Sequence, residues 1–528
     1  MVMTNPAQPV FDQSQRTPGR LALAGDGVEL TYAELVERAG RLSAALRDRG
    51  IGRGGRVGIL GSRSLIAVEA VLATAWTGAT YVPLGLAWPE NRLRAVLSLI
   101  DLDAVIADES GIGLLTPAVL DCIDLLLLPD RESCRWVGAS GRVVLTLDAL
   151  PTQRRLSEPA RMSSDDLVYV MFTSGTTGVP KGVMVPAAAT AAYLAAAGRR
   201  KAMTPDDRAS QFTELSFDLS FGEIFLPWHA GASLHILSPL NRMSAVRFIR
   251  ERQLTVWGST PSAIAWMRDT RQLQPGSLPS LRYSSFCGEP LPLASVRAWQ
   301  EAAPNSVIDN LYGPTEATVD CTGQRVEPGM TPIVTPGRDV LAIGTPHPGT
   351  DLAVLAPDRT FLGRGEVGEL AIAGAQLAVG YLAAPEVTAS RFPVINGRRW
   401  YLTGDLAMQD AAGVFHHLGR IDNQVKVQGH RVELEDVEFH LRAVAGTDQV
   451  AAVAWPIANG VAQAIVGFVA QPALPVGRTR EALRQRLPSY MVPAEVHELG
   501  TLPRNANGKI DRQALIADLE RDLESGHA

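Results

Sequence analysis

Residues 170–185 read Val-Met-Phe-Thr-Ser-Gly-Thr-Thr-Gly-Val-Pro-Lys-Gly-Val-Met-Val. An apolar run leads into Thr173-Ser174-Gly175-Thr176-Thr177-Gly178, then Pro180-Lys181-Gly182, and a second apolar run follows. The pattern predicts two strands joined by a polar loop. Gly175 and Gly178 let backbone N–H groups approach an anion, the hydroxyls of Thr173, Ser174, Thr176 and Thr177 add donors, and Lys181 adds a cation. Such a loop can cradle a polyphosphate. It is not a Walker loop, because the glycines are three apart and Pro180 directly precedes the lysine. Taken alone, the stretch could equally be a Gly/Thr hairpin with a solvated lysine.

The chain has 528 residues, too many for one core, so two or more domains are expected. A composition 46% hydrophobic and 20% charged is that of a globular protein able to bury large cores. A formal charge of −6 gives no reason to expect nucleic acid or an anionic membrane as partner. Cysteines at 122, 134, 287 and 321 form no C-x-x-C pair, which favours a reduced setting over a disulfide framework. Residues 1–16 are polar and no apolar run reaches a membrane span, so a cytoplasmic protein is expected.

Residues 30–50 carry apolar residues at helical spacing behind Thr31, with Glu34 placed to complete a capping box and Gly50 at the end. A strand over 57–60, a helix over 65–76 and a strand over 79–84 predict a parallel βαβ unit. Further strands are expected at 103–107, 142–147, 255–257 and 281–286, and an alanine-rich helix at 187–197. Phe217-Asp218-Leu219-Ser220-Phe221-Gly222-Glu223 opens a helix with acid in its first turn, where Asp218 could be no more than a cap. Short strands and glycine turns over 352–381 predict a small barrel. Beyond Asp422, a helix over 431–442 and strands over 450–455 and 465–469 predict a small α+β module.

Asn310-Leu311-Tyr312-Gly313-Pro314-Thr315-Glu316 offers a ring to stack on adenine, a hydroxyl for a phosphate oxygen and a carboxylate whose hard oxygens suit Mg²⁺. Asp405 stands where its two oxygens could accept from vicinal ribose hydroxyls.

These stretches, with Cys287-Gly288-Glu289-Pro290, Gly419-Arg420, Pro488-Ser489-Tyr490-Met491-Val492-Pro493 and the segment 502–511 ending Gly508-Lys509-Ile510-Asp511, occur in the order of the motifs of the adenylate-forming superfamily. Over roughly residues 15 to 515 the chain resembles that superfamily, which holds acyl-CoA synthetases, luciferases and nonribosomal peptide adenylation domains. One departure is Gly85-Leu86 after Tyr81-Val82-Pro83-Leu84, where members usually carry Asp-Pro. Phe217-Asp218-x-Ser and the block Gln424 to Glu433 are similar to the amino-acid-activating, nonribosomal branch.

The resemblance implies an α/β, luciferase-like fold. A large N-terminal domain, 1–421, combines mixed α/β subdomains with a small β-barrel; a mobile α+β domain, 422–528, hinges at Asp422. It implies ATP and Mg²⁺ as cofactors, with Glu316 on the metal. Lys509, Lys181 and Thr176 take catalytic roles, Lys509 swinging into the cleft to bridge the substrate carboxylate and ATP. ATP is assigned Thr173, Ser174, Gly175, Thr177, Gly178, Gly288, Glu289, Asn310, Tyr312, Gly313, Thr315, Asp405 and Arg420. Asp218 would hold the substrate α-ammonium, in a pocket with Leu219, Gly222, Gly258, Ser285, Cys287, Leu311, Val319 and Asp320.

The implied reaction is attack of an amino-acid carboxylate on the α-phosphorus of Mg·ATP, then transfer of the aminoacyl group to a phosphopantetheine thiol. The chain stops at Ala528 with no carrier site, so a free-standing peptidyl carrier protein is the expected partner; a small activating partner protein is left open. Gly222, Gly258 and Ser285 suggest space, and a buried Asp320 calls for a cation or donor, so a basic or guanidino amino acid is expected. A neutral cyclic or aromatic amino acid, or serine, is the alternative substrate. An acyl-CoA ligase and a non-catalytic ATP-binding protein are the alternative functions.

Overall fold

The computed structural model describes residues 5–130, 143–146, 150, 155–175, 180–238, 245–427, 429–458, 461–504 and 510–524. The chain divides into two compact units. The first comprises residues 1–86, 97–172 and 182–421, and the second 87–96, 173–181 and 422–528.

In the first unit the capping box forms as the sequence predicts. Glu34 N donates to the Thr31 hydroxyl, and the Glu34 carboxylate accepts from Thr31 N at 2.8 Å. The helix Tyr32–Arg47 that follows buries Leu35, Ala39, Leu42 and Leu46. Strands Arg56–Leu60 and Thr80–Pro83 pair in parallel around helix Leu65–Thr77, which is apolar on nearly every face and buried accordingly. These strands belong to an eight-stranded sheet that also holds Leu167–Thr173 and Lys181–Pro186, the two strands flanking the polar loop.

A nine-stranded sheet carries the row that matters for the site. Val256–Ser259, Tyr283–Phe286 and Val307–Tyr312 run parallel, in a register that sets Gly258 beside Ser285 and Ser285 beside Asp309. The alanine-rich helix extends beyond the expected segment, from Ala187 to Lys201. Its last turn reaches this row: Arg200 forms two bonds to the Asp309 carboxylate, at 2.5 and 2.6 Å, and Lys201 Nζ donates to Ser285 Oγ at 3.3 Å.

The segment expected to form a small barrel is an open four-stranded antiparallel sheet. Its strands run in the order Thr350–Leu355, Val367–Gly374, Tyr401–Gln409, Phe415–Arg420. The sheet does not close on itself because one apolar face, with Val354, Leu370, Ile372, Tyr401 and Phe415, is buried in the main core. Strands and glycine turns do alternate along the segment, but four strands are too few to enclose an interior.

In the second unit a three-stranded sheet (Val450–Ala454, Ile465–Ala470, Glu495–Leu499) packs with helices Leu434–Ala445, Val476–Arg484 and Arg512–Glu524. The helix expected over 431–442 begins only at Leu434, because His430–Glu433 is a strand paired antiparallel with Gln424–Val427. Among the described residues no helix is long and apolar enough to cross a membrane.

Replacing Thr31 by alanine removes one half of the capping box and leaves the Glu34 amide without its acceptor. Denaturant melts should show a loss of about 1 kcal/mol, with Thr31→Ser close to the parent.

Candidate active site

Asp218 occupies the N-cap position of helix Leu219–Ala230, yet its side chain makes no capping bond. The carboxylate turns across to another segment, where Val319 N donates to Oδ2 at 3.2 Å. Thr315 is a second partner. Asp218 is 9% exposed, and burial pushes its carboxyl up to about 6. The bonds from Thr315 and Val319 pull against that rise, and the charge of Glu316 adds to it. The described partners of Asp218 are thus neutral donors.

The loop that supplies Val319 is shaped by its backbone. Thr318 and Val319 have φ of 56° and 70°, a left-handed conformation that β-branched residues rarely adopt. Gln376 holds it: Nε2 donates to Asp320 O at 2.8 Å and reaches the carbonyls of Ala317 and Thr318, while Gln376 O accepts from Thr318 Oγ1 at 2.6 Å. Gly313 is required underneath, since a Cβ there would lie 2.5 Å from Asp320 Cα.

Beyond Asp218 lies a cavity with about 490 Å³ of empty volume, its mouth included. Of the nine pocket residues expected from the sequence, Leu219, Gly222, Gly258, Ser285, Cys287, Leu311 and Asp320 line it. Asp218 and Val319 stand at its side, joined to each other. The expectation that Gly222 leaves space is corrected: a Cβ there would lie 2.2 Å from Tyr193 Oη, so the tyrosine already fills that volume. At Gly258 the room is real, with Glu223 Oε1 at 3.4 Å and Ser285 Oγ at 3.6 Å from the equivalent point.

Sequence reasoning missed several polar residues of this cavity, among them Tyr193, Lys201 and Glu223. Glu223 follows Leu219 by four residues on one helix face, and that spacing could have revealed it. Lys201 closes an alanine-rich helix and carries no local signal. Glu223 takes the amides of Phe212 and Thr213 at 3.0 and 2.9 Å and the Thr213 hydroxyl at 2.8 Å. Burial raises its carboxyl to about 7 against these bonds and the charge of Lys201. Asp320, 1% exposed, is likewise raised to about 7 by burial, with Lys201 and Arg200 pulling it down and Asp309 and Asp218 pushing it up.

On the other side of the 310–320 segment, Tyr312, Asp405 and Arg420 come together as expected. Tyr312 Oη donates to Asp405 Oδ2, and Arg420 Nη1 to Oδ1. His417, not anticipated, lies 3.4 Å from Asp405 Oδ1 and its ring faces Tyr312. Burial alone would raise Asp405, but His417, Arg420 and the Tyr312 hydroxyl outweigh it and hold the carboxyl well below the usual range. Glu316, nearly inaccessible, accepts from Tyr381 Oη at 2.7 Å. Mg²⁺ commonly takes only one or two protein carboxylates and leaves the rest of its shell to phosphates and water, so a single Glu316 fits an ion that arrives with ATP.

Several of the remaining expected residues have structural partners. Asn310 Nδ2 donates to Ala342 O at 2.8 Å, Glu289 Oε2 accepts from Ser262 N at 2.8 Å, and Gly288 needs its φ of 96°. In the second unit, Ser174 Oγ donates to Arg431 O at 2.8 Å and accepts from Glu433 N at 3.1 Å. Thr173 Oγ1 faces Lys181 O at 3.5 Å, Gly175 is buried, and Asp422 Oδ1 accepts from Gln424 N. Thr176, Thr177, Gly178 and Lys509 lie outside the described residues.

Residues 10–382 match the family model described as AMP-binding enzyme. The AMB antimetabolite synthetase AmbB of Pseudomonas aeruginosa is 35% identical over 509 residues, 95% of this chain and 38% of that protein. The chain spans only 8% to 13% of three longer synthases that it also matches. Among solved structures, the Vibrio cholerae adenylation domain AlmE, crystallised with glycyl-adenosine-5'-phosphate, is 30% identical with a TM-score of 0.87, covering 99% of this chain and 98% of that one. An artificially fused adenylation–PCP di-domain, NpsA-ThdA from Klebsiella oxytoca, is 25% identical with a TM-score of 0.77, covering 94% of each chain.

The raised carboxyl of Asp218 makes a signed prediction. Below about pH 4 both folded and unfolded chains hold the proton and nothing is lost. As pH rises toward 6 the unfolded chain ionises first, so stability falls, and above 6 the full penalty of about 3 kcal/mol is present. Asp218→Asn should therefore melt above the parent at pH 7, with the gap closing by pH 4.

Proposed function

The chain belongs to the AMP-binding enzyme family, and on that premise we propose that it activates an amino acid with Mg·ATP to an aminoacyl-adenylate and pyrophosphate, then passes the aminoacyl group to the phosphopantetheine thiol of a carrier protein. One observation carries this reading: Asp218 is a buried carboxylate served by neutral donors and raised further by Glu316. Such a group gains most from a cation, and the α-ammonium of an amino acid supplies it. A simple carboxylic acid, the substrate of an acyl-CoA ligase, would leave Asp218 unsatisfied.

The nucleoside side supports the same chemistry. Tyr312 offers its ring to adenine, and Asp405, kept ionised by His417 and Arg420, is a strong acceptor for ribose hydroxyls. The loop from Thr173 to Lys181 would hold the departing pyrophosphate, and Glu316 would help to place the Mg²⁺ that ATP brings. Lys509 would neutralise charge between the attacking carboxylate and the α-phosphate, and rotation at Asp422 would exchange Lys509 for the carrier thiol. The likeness to an adenylation–PCP di-domain supports the transfer step. Cys122, Cys287 and Cys321 remain thiols, which suits a cytoplasmic setting. A guanidino side chain was expected because Asp320 needed a cation; Lys201 and Arg200 already act on Asp320, which weakens that reason.

Amino-acid-dependent exchange of pyrophosphate into ATP tests the reading, and a full panel of amino acids with no exchange would sink it. Lys509→Ala should slow adenylation by about 10²–10³-fold. Asp422→Pro should lower thioester formation on a supplied carrier protein far more than exchange, and CoA should not replace the carrier.

A further inference from the structure

We infer that the cavity selects a neutral amino acid whose side chain ends in a carboxamide or ureido group, its carbonyl oxygen accepting from Lys201 and its N–H donating to Asp320. The inference rests on the adenylation reading and names the substrate class of that same site.

Two carboxyl groups and one ammonium line the cavity, and they are not equivalent. Glu223 is anchored by its own surroundings, with two amides on Oε2 and the Thr213 hydroxyl on Oε1. The ammonium of Lys201 is different. Among the described residues its hydrogen-bond partner is one neutral hydroxyl, Ser285 Oγ at 3.3 Å, and it lies 5.8 Å from the centre of the Tyr283 ring. An ammonium has three donors, so at least one remains for a ligand. The neighbouring Arg200 is committed to Asp309 through a two-pronged bond and does not compete.

Asp320 is the third group. Among the described residues its Oδ1 has no hydrogen-bond donor; His347 Nδ1 lies 3.3 Å away without making a hydrogen bond, and burial keeps that imidazole neutral near pH 7. A ligand that satisfies both Lys201 and Asp320 must carry an acceptor and a donor together. A guanidinium or ammonium meets Asp320 but is repelled by Lys201; a carboxylate meets Lys201 but is repelled by Asp320. An apolar side chain would strip water from both and return nothing. A carboxamide or ureido group meets both at once.

The shape of the cavity agrees. Tyr193 closes the Gly222 side, whereas at Gly258 there is room for a methyl group beside Glu223 Oε1 and the Oγ of Ser285, the residue that holds Lys201. A side chain entering past Leu219 is therefore directed along Gly258 toward the ammonium.

The test is pyrophosphate exchange on the full chain with asparagine, glutamine, citrulline, arginine, ornithine, glutamate, leucine and phenylalanine, for the parent, Lys201→Met and Asp320→Asn. The parent should favour a carboxamide or ureido substrate over arginine and glutamate by at least about tenfold in kcat/KM. Lys201→Met should lower that preferred substrate by about 10–200-fold and narrow its lead over arginine, and Asp320→Asn should narrow its lead over glutamate. Thermal melts show whether each variant is folded, and either variant alone suffices. A parent that prefers a basic, acidic or apolar amino acid overturns the inference and leaves adenylation standing, as does a preference that neither folded variant alters. No exchange with any amino acid overturns the adenylation reading itself.

Discussion

Two β-branched residues, Thr318 and Val319, are held in a left-handed conformation that each would leave if released, and the site is organised by what holds them. That strain costs on the order of 1–3 kcal/mol per residue. Gln376 offsets it with a buried amide reaching three carbonyls of the loop and a backbone carbonyl that takes the Thr318 hydroxyl. The result is a segment in which successive residues face different tasks. Thr315 and the Val319 amide serve Asp218, Glu316 meets Tyr381, and Asp320 enters the cavity. A relaxed loop would turn the Val319 N–H away and separate these groups.

The two ends of the site use burial with opposite results. Asp405 is buried beside Arg420, His417 and the Tyr312 hydroxyl, so it stays charged and its partners are already in place. Asp218 and Asp320 are buried with mostly neutral donors or with cations held at a distance, so their carboxyls rise. Desolvation is common to all three, and what differs is the number of cations in contact. A carboxylate that the protein has paired is suited to bind hydroxyls, and one that it has left short of positive charge is suited to bind a cation or a donor.

Candidate site residues are legible in the sequence where they sit in short contiguous motifs, as Asp218, the Tyr312 to Glu316 block and Asp405 do, and the structure brings Tyr312, Asp405 and Arg420 to one point. The capping box at Thr31 and the βαβ unit were legible for the same reason: both are local. Gln376, His417, Tyr193 and Lys201 were not, because each acts across the fold on a partner far away in the chain. Nothing near Lys201 announces Ser285 or Asp320; only the parallel register of Val256–Ser259, Tyr283–Phe286 and Val307–Tyr312 under the helix end brings them together.

The same limit explains the reading of the pocket by its glycines. Gly222 and Gly258 look alike in sequence, each a missing side chain on an expected pocket wall. In the fold the space at the first is occupied by a phenol from another helix, while at the second a methyl group would fit in ordinary contact with Glu223 and Ser285. Space inside a protein belongs to the neighbours that could fill it, not to the residue that lacks a side chain. Charge obeys the same rule: a buried Asp320 calls for positive charge, and the helix ending at Lys201 supplies it from across the fold. The volume and charge of the cavity are therefore set by the tertiary placement of Tyr193 and Lys201 as much as by the residues that a motif would list.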